Sequence, residues 1–281
     1  RLRRNHARLI SIYSGIPSTT PAVQAELFYG CRGAVPAFSW YDREDGRMRR
    51  MFEPDSARKV VDTLEEPEEP LLEGGASYSN IYAGGAKRSQ FCWETLFPLR
   101  WQSLKTTIPY AAVGILHIPT VIRTAALMLS EIVHALGGML SGVSQGQSFL
   151  KELNFVFARI SFGIFTRETI RYQAKTDIER GVRIIHANFM SYDEHAHRRS
   201  PCSNFAHRTL RGIDTAIEDI CRTAQSSNNR DYSIIVFSDH GQESVERYQS
   251  PKRETLGETV KRVFSQQGLA SAVQKGSSTD S

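Results

Sequence analysis

Short apolar runs that stop in polar, chemically capable residues set the pattern of this chain. Val182–Ala187 predicts a buried strand and leads into Asn188–His197, where Asp193, His195 and His197 crowd together. A second run, Ser233–Phe237, predicts another strand and ends in Ser238-Asp239-His240-Gly241. Near the start, Leu9–Tyr13 predicts a strand closed by a Ser14-Gly15 turn. Thr19-Thr20-Pro21 predicts a helix start, with Thr20 as N-cap, Pro21 at the first helical position and Ala22–Tyr29 behind them. Val35–Met51 reads as a hairpin turning at Asp45-Gly46. Pro54-Asp55-Ser56 opens a helix to Leu64. Ala76–Ala83 reads as a strand between two glycine pairs, Gly74-Gly75 and Gly84-Gly85, taken as turns.

From Glu94 to Arg180 the periodicity turns helical, most clearly over Leu150–Tyr172, where apolar residues recur at helical spacing. Asn204–Thr223 predicts an amphipathic helix and Glu254–Phe264 a short one. Gln266–Ser281, rich in Ser, Gly and Gln, is expected to be disordered. Strands alternating with helices predict an α/β fold: a mostly parallel central sheet flanked by helices, with an inserted helical, cap-like region. Residues 1–93 and 181–265 are then two parts of one α/β domain, 94–180 the insertion and 266–281 a tail.

Composition changes this picture little. The chain has 281 residues, an ordinary apolar fraction and a net charge of +5. Only Arg1–Arg8 and Lys87–Arg88 are locally basic, and no basic stripe with interleaved aromatics appears, so nucleic acid is not expected as a partner. The four cysteines, Cys31, Cys92, Cys202 and Cys221, form no CxxC pair, which argues against a zinc ribbon or a redox motif. The most membrane-like stretch, Ile108–Val143, is interrupted by His117, Pro119, Arg123, Glu131 and His134. A spanning helix needs about 20 apolar residues, so core, cap or interface is the favoured reading over a membrane span. The chain opens on Arg-Leu-Arg-Arg with no Met and no signal-peptide pattern, and a partial chain of unknown compartment is expected.

The chemistry sits at the strand ends. In open α/β sheets, ligands bind beyond the carboxyl ends of the strands. Asp239-His240-Gly241 puts a carboxylate and an imidazole there; taken alone, it reads equally as a capped strand end with a surface histidine. Asp193 and His197, four apart, can meet one ion from a single helical turn. His195 is out of phase with them and is expected to stand behind the ligands or at the surface. Two independent strand-end clusters favour metal over a polar loop that happens to hold histidines. Thr19 and Thr20 sit where a helix N-terminus favours an anion, although a capping pair is the default for Thr-Thr-Pro. A hydroxyl beside Zn²⁺ becomes a nucleophile at neutral pH, and mixed Asp/His ligation suits a pair of Zn²⁺ ions that clamp a phosphoryl group.

Thr-x-Pro near the start, then Asp-x-x-x-His, then Ser-Asp-His-Gly resembles the alkaline phosphatase superfamily. Within it, the type I phosphodiesterase/nucleotide pyrophosphatase group in its bacterial branch is most similar, over Leu9–Gly30, Gly74–Gly85 and most specifically Val182–Gln242. The resemblance implies Thr19 as nucleophile and metal ligand, with Thr20 as the off-by-one alternative. It implies Asp239 and His240 as further ligands of the same ion, and Asp193 and His197 as ligands of a second. Two divalent ions, Zn²⁺ by preference, and a phosphate ester substrate follow from it. Sulfatases share the fold but use a Cys/Ser-x-Pro-x-Arg motif, which Thr19–Val23 lacks. The group also uses an Asp on the first strand and a late His, and neither has a match here, since no His follows His240. A phosphate-contacting Asn has no match around Phe38–Trp40. Weak or absent activity of this chain is therefore expected. The competing expectations are a non-catalytic member that binds a partner or a membrane through 108–143, and a mutase or phosphotransferase.

Overall fold

Ala76–Tyr78 (β3) is the strand around which the α/β layer is built. The computed structural model describes residues 8–33, 35, 37–64, 69–96, 121–133, 149, 153, 163–245 and 254–266. β3 lies between β4 (Arg88–Gln90) and β5 (Ile185–Ala187) and is parallel to both, with Ala76 opposite Arg88 on one side and Ile185 on the other. All three β3 residues are buried, as a parallel strand covered on both faces requires. Gly75 is fixed by close approach: a Cβ there would stand 2.5 Å from the Ile184 carbonyl oxygen. Gly74, Gly84 and Gly85 have positive φ and make the expected turns. β3 is shorter than the predicted Ala76–Ala83 because Ser79 adopts φ 58° and swings the chain out of the sheet.

Helix α1 (Thr20–Tyr29) buries Pro21, Gln24, Ala25, Phe28 and Tyr29, a stripe of helical period. Its apolar members share a core with Val35, Met51, Leu72, Ile81, Tyr82 and the inner face of α2 (Pro54–Leu64). The predicted hairpin forms from β1 (Ser39–Asp42) and β2 (Arg47–Arg50), with Asp42 opposite Arg47. Gly46, at φ 63°, lies in its turn. A short α3 (Trp93–Leu96) and helical residues 121–133 (α4) are the described helices of the predicted helical block before α5 (Thr166–Glu179). α6 (Ser191–Arg199) follows β5, and α7 (Asn204–Gln225) runs as the predicted amphipathic helix, its Ser203 N-cap hydroxyl accepting from Ala206 N–H at 3.1 Å. α7 packs against both α5 and α6. Residues Glu243–Ser281 form a separate unit. There α8 (Leu256–Gln266) starts with a reciprocal cap: Thr255 N–H donates to the Glu258 carboxylate at 2.7 Å, and Glu258 N–H to the Thr255 hydroxyl at 3.3 Å.

The architecture is α/β with a parallel sheet, as the alternation predicts. Two predicted strands are not formed. Leu9–Tyr13 and Ser233–Phe237 make no ladder, and Ile12 and Ile235 stand 65% and 83% exposed. The second segment reaches the β5 region through side chains, with Tyr232 OH donating to the Val182 carbonyl at 2.8 Å and Arg230 Nε to that of Gly181 at 3.1 Å. α1 begins one residue earlier than predicted, because Thr19, at φ −131° and ψ 147°, takes the N-cap position instead of Thr20. Most of Ile108–Val143 and of Leu150–Tyr172, the tail beyond Gln266 and most of Arg1–Arg8 lie outside the described residues. Among the described residues, no helix is long and apolar enough to cross a membrane.

Candidate functional site

Two segments distant in sequence meet at the N-terminus of α1. The Thr20 hydroxyl lies 3.4 Å from His240 Nε2. His240 Nδ1 is 3.1 Å from the Gly241 carbonyl, so that nitrogen carries the proton and donates. Nε2 is thereby left as an acceptor for a hydroxyl proton or as a ligand. Asp239 sits beside it, its carboxylate 3.8 Å from Nε2. Thr19 supplies the carbonyl that accepts the first helical bond, from Val23 N–H at 3.0 Å, but its hydroxyl caps nothing. That oxygen is buried with no hydrogen-bond partner. A buried, unbonded hydroxyl at the positive end of a helix dipole is costly unless something else is to bind there.

The second predicted cluster forms on α6. Asp193 and His197 stand one turn apart with Oδ1 and Nε2 3.3 Å from each other, His197 exposed and Asp193 half-buried. His195 points the other way: it is 5% exposed, its Nδ1 is 2.7 Å from the Thr209 hydroxyl on α7, and its ring packs on Phe205 at 4.6 Å. His195 therefore lies in the α6–α7 interface, apart from the Asp193–His197 pair.

Sequence reasoning passed over His186, the one imidazole in the Ile184–Ala187 run. Its ring meets Phe28 edge-on at 4.9 Å and Phe237 at 5.8 Å, and its Nδ1 is buried without a partner. Burial pulls its pKa down to about 4, against the opposing pull of the Asp239 carboxylate. A neutral imidazole thus flanks the Asp239–His240 corner. The signal in the sequence was a single titratable ring inside an otherwise apolar strand, leading into the polar stretch.

Carboxylate oxygens, imidazole nitrogens and an unbonded hydroxyl are donors that suit a divalent ion of the zinc type. They are paired as Asp239 with His240, and as Asp193 with His197. Among the described residues, no three His, Cys, Asp or Glu side chains converge to hold a metal.

The family model for type I phosphodiesterase / nucleotide pyrophosphatase matches residues 34–277. That span contains Asp193, His197, Asp239 and His240 and begins after Thr19. No curated protein and no solved structure matches the chain.

Proposed function

Because the chain belongs to the type I phosphodiesterase/nucleotide pyrophosphatase family, a branch of the alkaline phosphatase superfamily whose members hydrolyse phosphoric ester bonds, we propose that it cleaves a phosphodiester or pyrophosphate bond with Thr19 as nucleophile. The observation that carries this reading is the meeting of the α1 N-terminus with His240, Thr20 to Nε2 at 3.4 Å, beside the unbonded Thr19 hydroxyl. In this reading Thr19, Asp239 and His240 would hold one divalent ion, and Asp193 and His197 a second, Zn²⁺ suiting their donor types. Such ions lower the pKa of a bound hydroxyl or water and neutralise phosphoryl oxygens.

The chain's own residues then do the following. The first N–H groups of α1 and its dipole orient the phosphoryl oxygens. The Thr19 hydroxyl gives up its proton as its oxygen attacks phosphorus in line with the leaving alkoxide or phosphate, which departs and takes up a proton as the Thr19–phosphorus bond forms. Water then attacks that phosphorus, gives one proton to the departing Thr19 oxygen and releases a phosphate monoester. His240, protonated on Nδ1, has a single Nε2 lone pair: without an ion it accepts from the Thr20 hydroxyl and holds the first turn of the helix, and it would go to a bound ion instead.

Turnover of a chromogenic phosphodiester with added Zn²⁺ tests this. Thr19→Ala is expected to abolish it and Thr20→Ala to lower it by about tenfold, within the cost of a small misplacement at the site. Acid-quenched native protein should carry the retained ester group on the peptide holding Thr19. Full turnover by Thr19→Ala would overturn the assignment, and loss in Thr20→Ala alone would move the nucleophile to Thr20. One observation favours a second reading, a non-catalytic member that binds without cleaving: among the described residues no three metal-binding side chains converge. Folded native protein that turns over neither phosphomonoesters nor phosphodiesters with Zn²⁺ added would establish it.

A further inference from the structure

The hydroxyls at the start of α1 have to be held at one depth against the sheet, and the N-cap side chain does not do this. The apolar stripe of α1 can slide by fractions of an ångström, because hydrophobic burial is non-directional. In the middle of that stripe lies one polar residue, Gln24, only 3% exposed. Burying a carboxamide is unfavourable unless both of its ends are bonded, and here both are. Gln24 Oε1 accepts from Ile81 N–H at 2.7 Å, and Gln24 Nε2 donates to Asn80 Oδ1 at 3.1 Å.

Asn80 is itself fully buried and extends the connection into the sheet. Its Nδ2 donates to the Ser77 hydroxyl of β3 at 2.8 Å, and its carbonyl accepts from Trp93 N–H at 3.0 Å. Ser79, at φ 58°, makes the turn that presents Asn80 and Ile81 to the helix. Gln24 is four residues after Thr20, so both lie on nearly the same helix face, roughly 6 Å apart along the axis.

We infer that Gln24 and Asn80 are positioning residues for the reacting corner: the two-point carboxamide clamp sets the depth and rotation of α1 on β3, and through one helical turn the placement of Thr19 and Thr20 against His240. This rests on the reading of that corner as the reaction site.

The clamp acts on geometry alone, so its loss should fall on kcat more than on KM. Misplacement by about 1 Å can cost up to 100-fold in rate. Gln24→Met, which keeps volume and removes both bonds, is expected to lower kcat on the chromogenic diester by about 10- to 100-fold with KM within about twofold. Asn80→Ala, which removes one of the two bonds and leaves Ile81 N–H on Gln24, should lower kcat by a smaller factor, and the double variant should lose little more than Gln24→Met, which already opens both points. Gln24→Asn, one methylene shorter with the same chemistry, should fall between Met and native. It also keeps the test open should Gln24→Met fail to fold.

A native kcat in folded Gln24→Met or Gln24→Asn, with only the melting temperature lowered, would overturn the inference, and so would fully additive losses in the double variant. Thr19→Ala and Thr20→Ala, assayed beside them, separate the two failures. If both retain turnover, the site itself is misplaced. If they lose it while the Gln24 variants do not, only the clamp is wrong.

Discussion

A single imidazole can stand in solvent or form part of a core, and the three histidines around α6 and β5 differ in this respect. His197 stands 67% exposed and touches Asp193 across one turn, whereas His195 is buried against Phe205 and bonded to Thr209. Replacing His195 with Ala should destabilise the protein by about 3 kcal/mol, through lost packing on Phe205 and the lost hydrogen bond to Thr209, and leave Zn²⁺ affinity near native. His197→Ala should change stability by no more than about 0.5 kcal/mol and weaken Zn²⁺ binding by about tenfold or more. Urea melts and zinc titrations of the two variants make the comparison. Equal zinc affinities would remove α6 from the site. The spacing of Asp193, His195 and His197 put His195 on a different face from the other two, because helical period decides which side chains share a face, but its burial against α7, where a surface position was one expectation, was not legible. His186, Gln24 and Asn80 were not legible, because their partners come from segments far away in sequence.

At the scale of elements, helices were easier to read than strands. α2, α7 and the β1–β2 hairpin follow from caps, period and an Asp-Gly turn, all of them local signals. Leu9–Tyr13 and Ser233–Phe237 carry strand composition, but a strand exists only through a neighbour, and neither segment gains a ladder. The hairpin owes its rigidity to one carboxylate that no pattern singled out. Asp42 accepts from Lys59 Nζ at 2.8 Å, Arg49 Nε at 2.6 Å and the backbone N–H of Glu44 at 3.0 Å. The Lys59 hydrogen bond is the largest influence holding its pKa below the ordinary carboxyl value of 3.8; burial opposes the shift, and the Arg49 and backbone bonds add to it. For a carboxylate whose pKa is depressed on folding, the stabilisation is fully present above the unfolded value and disappears as pH falls through the folded one. The stability advantage of the native protein over Asp42→Asn should therefore be constant above about pH 4 to 5 and shrink as pH drops below 3.8. Urea midpoints of both proteins across pH 2 to 7 would show it, and a difference that does not change with pH would mean that folding leaves the Asp42 pKa unshifted.

In the molecule as a whole, the two candidate clusters hang on different parts of the scaffold, and Asp177 ties one to the other's sheet. Asp177 lies on α5 with no exposure, accepts from Tyr78 OH on β3, and pairs with Arg88 on β4. α5 packs on α7, and α7 on α6, which carries Asp193 and His197. β3 holds α1, and so Thr19 and Thr20, through Ser77 and Asn80. The sheet is thus the common reference of both clusters, and α6 reaches it through α7 and α5 as well as through its direct link to β5. Asp177→Ala leaves a buried tyrosine hydroxyl and an arginine without their acceptor and should cost about 3 kcal/mol or more. Asp177→Asn keeps one acceptor oxygen and should cost less. If the helices form one cooperative unit on the sheet, hydrogen exchange in Asp177→Ala should quicken together in α5, α7 and α6 while α1 and α2 stay protected. Acceleration confined to α5 would mean that α6 takes its position from β5 alone, and the Asp193–His197 pair would then be placed independently of Asp177.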